Sequence, residues 1–210
     1  MKKPLEQRFN ACEVRAADAE SGSLITGTPI VYSSRTDLGW FDEVIEPGAL
    51  DGTDLTDVRF LVNHNTDMIP LARSRRNNGN STMTLTVTAE GLMMEATIDT
   101  ENNATAKELK SAIERSDISG MSFMFSVDDD EWENLDSDHP IRHIRKIASV
   151  VEVSAVTFPA YDATSINARS KDALESARKA VETARRSVET DNNLLELEKA
   201  KTQLLGGYLR

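Results

Sequence analysis

Apolar positions in the first 168 residues come in short runs broken by turn residues, and several runs alternate with period two. That is the spacing of a sheet with one face buried. Residues 82–88 (TMTLTVT) alternate strictly, Ala89-Glu90-Gly91 turns the chain, and residues 92–98 (LMMEATI) return, which predicts a hairpin over 82–98. Residues 24–32 (LITGTPIVY) predict a strand pair or a bent strand. Residues 57–64 predict a strand ending near Asn65, with His64 on the face of Phe60 and Val62. Further strands are expected over 119–127, 141–147 and 149–158, the last rich in β-branched residues. Residues 103–116 read as a helix with Ala104, Leu109, Ala112 and Ile113 on one face. Many strands and few helices predict a mainly β fold with a closed or partly closed sheet.

The pattern changes after residue 168. Leu174, Ala177, Val181, Ala184 and Val188 recur at spacings of three and four, the stripe of an amphipathic helix. Asn193 and Glu196 form a capping-box pattern for a second helix. The charge shifts at the same place. Residues 169–210 carry nine Lys and Arg against seven Asp and Glu, whereas the whole chain carries a net charge of -11. Two parts are therefore expected: a β domain over 1–168 and a helical tail over 169–210.

Composition removes several classes of function. The acidic balance argues against nucleic-acid binding, which needs a basic face for the phosphates. No apolar run approaches the length of a membrane-spanning helix, and no apolar stretch follows Lys2 and Lys3 to make a signal peptide. The single cysteine, Cys12, offers neither a disulfide nor a Cys-rich zinc site, and no histidine is near it in sequence. The acidic run 128–138 (DDDEWENLDSD) lacks the glycine and ligand spacing of a calcium loop, so it reads as a solvated hairpin loop. No cofactor or metal is expected.

Three histidines remain as candidate bases: His64, His139 and His143. His139 adjoins Pro140 at the edge of the acidic run and reads as a surface residue. His143 stands between Arg142 and Arg145, two positively charged neighbours in sequence. His64 closes an apolar strand between Asn63 and Asn65, held yet reachable. Ser122 follows Gly120 in ISGMSFMFS (118–126), between large apolar residues. Glu152 lies amid apolar residues in SVVEVSAVTF (149–158). It is either an outward-facing glutamate on an edge strand or a buried partner for the His64 ring.

Taken in order, VNHN (62–65), ISGMSFMF (118–125) and EVSAVTFPAY (152–161) resemble the tailed-phage (caudovirus) prohead serine proteases. GTPIVY (27–32), FDEVIEPGAL (41–50), Trp132 and Arg142 fit the same family, and the resemblance spans about residues 20–168. That family is similar to the herpesvirus assemblins. The resemblance implies an assemblin-like closed β-barrel of about seven strands with surrounding helices. It implies Ser122 as nucleophile, His64 as general base and a third triad member on the strand after the serine. Assemblins place a second histidine there; here the matching residue is Glu152, with His143 as competitor. By the same analogy, backbone N–H groups of Ala160 or Tyr161 would hold the oxyanion. The implied activity is capsid maturation inside the procapsid, in the host cytoplasm. It would cut the scaffolding protein, or the scaffolding segment of the major capsid protein, and trim the protease itself. The enzyme would act as a homodimer, with the helical tail as a docking or self-cleaved segment. The alternative is an inactive module that binds capsid or scaffold through that tail.

Overall fold

The computed structural model describes residues 4–157, 171–183 and 185–186. The chain divides into two compact units, Met1–Arg169 and Ser170–Arg210. In the second, residues 171–183 are helical, in keeping with the stripe through Leu174, Ala177 and Val181. The second helix expected from Asn193 onward lies outside the described residues. No helix among the described residues is long and apolar enough to cross a membrane.

The first unit is mainly β. Its strands are β1 (Glu6–Asn10), β2 (Arg15–Ala19), β3 (Gly22–Val31), β4 (Arg35–Asp37), β5 (Asp42–Ile45), β6 (Arg59–Val62), β7 (Ala72–Arg73), β8 (Met83–Val87), β9 (Gly91–Ile98), β10 (Met121–Glu133) and β11 (Ile141–Ala155), with one helix, α1 (Ala104–Glu114), between β9 and β10. They form two sheets. One runs β2-β3-β9-β8. The other runs β1-β10-β11-β5-β4, with β6 also beside β11 and β7 beside β6.

The expected closed barrel is not formed among the described residues. β11 is fifteen residues long, and one of its edges is shared end to end by two short parallel partners. β5 pairs with Ile141–Ile144 and β6 with Glu152–Ala155. The sheet therefore fans out from β11 and leaves β1, β4 and β7 at its ends. Both sheets and α1 contribute to a single apolar core, with Ile25, Ile30, Leu92 and Met94 from one sheet and Phe60, Phe125, Ile147 and Val153 from the other. α1 starts at Asn103, whose Oδ1 accepts from the Ala106 N–H at 3.3 Å, and it buries Ala106, Leu109 and Ile113. Ala106 thus takes the place expected for Ala104.

Two sequence expectations need correcting. Residues 141–158 do not make two strands: β11 is continuous to Ala155 and absorbs its changes of direction as register shifts against β10. The acidic run is not all loop, because β10 continues through Glu133. The basic run of β11 lies across from it: Lys146 meets Asp128 at 3.1 Å, Arg142 meets Asp130 at 2.5 Å, and Arg145 pairs with Glu131. Opposite charges across a ladder stabilise a strand that either run alone would disfavour.

A buried ion cluster ties β1 to this hairpin. Arg8 donates to Glu43 at 2.5 and 2.7 Å, and Arg142 donates to Glu6, Glu43 and Asp130. Burial alone would lower the pKa of Arg142, but hydrogen bonding to Glu6 and the charges of Glu43, Glu6 and Asp130 raise it above its ordinary value. Burial would likewise raise Glu6, and the Arg142 and Arg8 contacts reverse that and hold it low. Removing one member of a buried cluster strands the opposite charges. Arg142→Ala should therefore cost about 3–5 kcal/mol. Thermal denaturation should show a melting temperature lower by about 10 °C; a drop of only a degree or two would mean the cluster is energetically neutral.

Candidate active site

β6 ends at Val62, and the next two residues leave the strand with left-handed backbone: Asn63 at φ 52° and His64 at φ 56°. His64 is thus not on the Phe60–Val62 face, as strand alternation suggests; the turn swings it toward β11. Left-handed residues with a Cβ cost about 1–2 kcal/mol each. Hydrogen bonds to the end of β11 offset this. The Asn63 N–H donates to the Ala155 carbonyl at 3.0 Å, the His64 N–H donates to Ser154 Oγ at 3.2 Å, and Asn63 Oδ1 accepts from the Thr157 N–H at 3.0 Å.

The turn brings His64 Nδ1 within 2.5 Å of Glu152 Oε1. Glu152 is buried, at 3 % exposure, and its second oxygen accepts from Ser154 Oγ at 2.6 Å. Of the two sequence readings of Glu152, the outward-facing one does not hold. His143 lies elsewhere on β11, opposite Glu131 and Val44, with Nδ1 2.6 Å from Glu46 and Nε2 3.4 Å from Glu133. Nine residues of strand separate it from Glu152, about 30 Å at the rise of a β-strand. His139 is half-exposed beside Asp42, at 3.1 Å. Asp37 completes a small cluster there, but Asp42 already accepts from Arg35 at 2.6 Å.

Ser122 is the second residue of β10. It pairs with Ser154, and Met124 pairs with Glu152, in the regular stretch before the first register shift. Ser122, Ser154 and Glu152 therefore share a face, with Ser122 diagonal to Glu152. Such diagonal positions lie about 7 Å apart, a gap that one imidazole ring with a hydrogen bond on each side can span. Ser122 is also covered, at 1 % exposure. Its other neighbour is β1, where Phe9 stands opposite it, and its Oγ donates to the Arg8 carbonyl at 2.6 Å. Among the described residues, no hydrogen bond joins Ser122 to His64. Gly120 permits the cover: a Cβ there would meet the Phe9 ring at 2.3 Å.

An imidazole held by a buried carboxylate, with a serine on the same face of the next strand, has the parts for acyl transfer. The sequence matches the caudovirus prohead serine protease family over residues 10–179. The chain belongs to the caudovirus prohead serine proteases.

Among solved structures, this prohead protease is similar to the bacteriophage T4 capsid assembly protease gp21, with 13% identity, a TM-score of 0.45, and coverage of 76% of this chain and 100% of that one. No curated protein matches it. Residues 160 and 161, expected at the oxyanion, lie outside the described residues of the protease. Cys12 is a poor nucleophile here: burial pushes its thiol above the ordinary value, against hydrogen bonds from the backbone at Thr28 and Met121. Ser154 went unassigned from sequence, although alternation on β11 places it with Glu152.

Proposed function

We propose that this prohead protease is a serine endopeptidase with a Ser122–His64–Glu152 triad. Ser122 Oγ attacks a peptide carbonyl carbon as its proton passes to His64 Nε2. The tetrahedral intermediate collapses, the C–N bond breaks, and His64 returns the proton to the leaving amine. Water then repeats the sequence on the acyl-enzyme and frees Ser122. Glu152 holds the Nδ1 proton throughout and stabilises the imidazolium as it forms. Backbone N–H groups at Ala160 or Tyr161 hold the oxyanion. One observation carries this reading: the 2.5 Å contact of His64 with a buried carboxylate across the ladder from Ser122.

Family membership supports the wider assignment. The protease acts inside the procapsid in the host cytoplasm. It cleaves the scaffolding protein or the scaffolding segment of the major capsid protein, and then itself. Its partners are the major capsid protein and the scaffolding protein. The tail 169–210 is a docking or self-cleaved segment, and the working form is a homodimer.

Because Ser122 is covered by β1, a peptide carbonyl reaches it only after β1 shifts. That cover also favours a second reading, in which the domain is inactive and the tail binds capsid or scaffold. A fluorophosphonate probe separates the two. Labelling at Ser122 that disappears in His64→Ala supports the protease. If the full chain is never labelled while the chain still binds capsid protein, the module reading stands instead.

A further inference from the structure

Ser154 is fully buried and sits between the His64 backbone and the Glu152 carboxylate. Its Oγ accepts from the His64 backbone N–H at 3.2 Å and donates to Glu152 Oε2 at 2.6 Å. Glu152 Oε1 in turn meets His64 Nδ1 at 2.5 Å. The contacts close a ring: His64 backbone, Ser154 hydroxyl, Glu152 carboxylate, His64 side chain.

The ring has only one direction. A backbone N–H can only donate, so Ser154 Oγ must accept from it. The single hydroxyl proton of Ser154 then goes to Glu152, whose Oε2 is an acceptor. That fixes the rotation of the carboxylate and turns Oε1 to the imidazole. Oε1 accepts from Nδ1–H, and the proton on Nδ1 leaves the lone pair on Nε2, the tautomer a general base needs. The same hydroxyl pins the left-handed backbone of His64, at φ 56°, from which the ring is aimed. Asn63 fastens the other side of the turn through Ala155 and Thr157.

We infer that Ser154 is a positioning residue that sets the tautomer and aim of His64 by bridging its backbone to Glu152; this rests on the triad reading above. Ser154 contacts no substrate and transfers no proton. Alanine at 154 leaves the His64 N–H and one Glu152 oxygen without their partner. Cysteine keeps the approximate size but is a weak donor, and threonine keeps the hydroxyl.

The test is proton NMR of the full chain, following the far-downfield His64 Nδ1–H resonance, together with the rate and pH profile of Ser122 labelling by a fluorophosphonate. In Ser154→Ala and Ser154→Cys the resonance should move upfield or vanish, and labelling should slow about 10- to 100-fold, the size seen when the hydrogen-bond partner that orients a metal-binding histidine is lost. Ser154→Thr should retain both signals. A resonance unchanged in Ser154→Ala and Ser154→Cys, with labelling at the wild-type rate, would overturn the inference. His64→Ala separates the two levels. If it is not labelled while Ser154→Ala is labelled like wild type, only the role of Ser154 falls. If His64→Ala is labelled like wild type, the triad reading falls as well.

Discussion

Replacing Ser122 by alanine should lower peptide cleavage about 10⁶-fold and leave the full chain untrimmed when it is expressed alone. The size follows from what is removed. Without Oγ there is no acyl-enzyme, and His64 has no proton to accept from the serine. Oxyanion contacts and binding would still accelerate attack by water, about 10³–10⁴-fold over the uncatalysed reaction. In the proposed triad the members act as a unit, so His64→Ala should fall nearly as far, and the double variant little further. Stability should barely move. Ser122 Oγ makes one hydrogen bond, to the Arg8 carbonyl, and losing such a bond costs about 1 kcal/mol. Intact mass of the wild-type chain beside Ser122→Ala is the measurement. An alanine variant that still loses its tail in a host without other phage proteins would sink the assignment.

Much of the scaffold around Ser122 was legible in the sequence. The hairpin of residues 82–98 announced itself by strict alternation and a Gly turn, and α1 by its apolar stripe. Those signals are local, and the physics behind them is local too. What stayed hidden depended on partners distant in sequence. DDDEWE reads as solvent-facing until RHIRK is laid against it in the hairpin, when the charges cancel. The parallel pairing of β11 with β5 and β6 leaves no periodic trace, and with it went the distinction between a closed barrel and a fan of strands. Asn63 and His64 looked like the last residues of a strand because the apolar run leads straight into them, and left-handed backbone is uncommon even at Asn and His, the non-glycine residues that favour it. The order of His64, Ser122 and Glu152 pointed to the candidate site. The turn at 63–64 explains how a histidine beyond a strand end reaches a carboxylate eighty-eight residues later.

Glu152→Gln tests the weakest link in that order and should cost about 10⁴-fold in turnover. The substitution changes almost no volume in a site that is only 3 % exposed, so packing is preserved. What changes is direction. Ser154 Oγ has one proton and already accepts from the His64 N–H, so it requires an acceptor at residue 152. The glutamine oxygen satisfies Ser154, and that turns the amide NH₂ toward His64 Nδ1. An NH₂ only donates, so Nδ1 must accept and the imidazole proton moves to Nε2. His64 then faces Ser122 with a proton where a lone pair is needed. Flipping the amide restores an acceptor to Nδ1 but strands the Ser154 hydroxyl proton in a buried site, at a cost of about 1–3 kcal/mol, and in either orientation the neutral amide lacks the charge that stabilises the imidazolium as it forms. Either way the base is weakened while the fold survives. The melting temperature should stay close to wild type as kcat collapses, and raising the pH should not restore it, because the defect is the tautomer and not the protonation state. Glu152→Asp keeps the acceptor and loses only reach, so it should retain more activity than the glutamine variant. A Glu152→Gln enzyme within tenfold of wild type would mean that something other than the carboxylate orients His64.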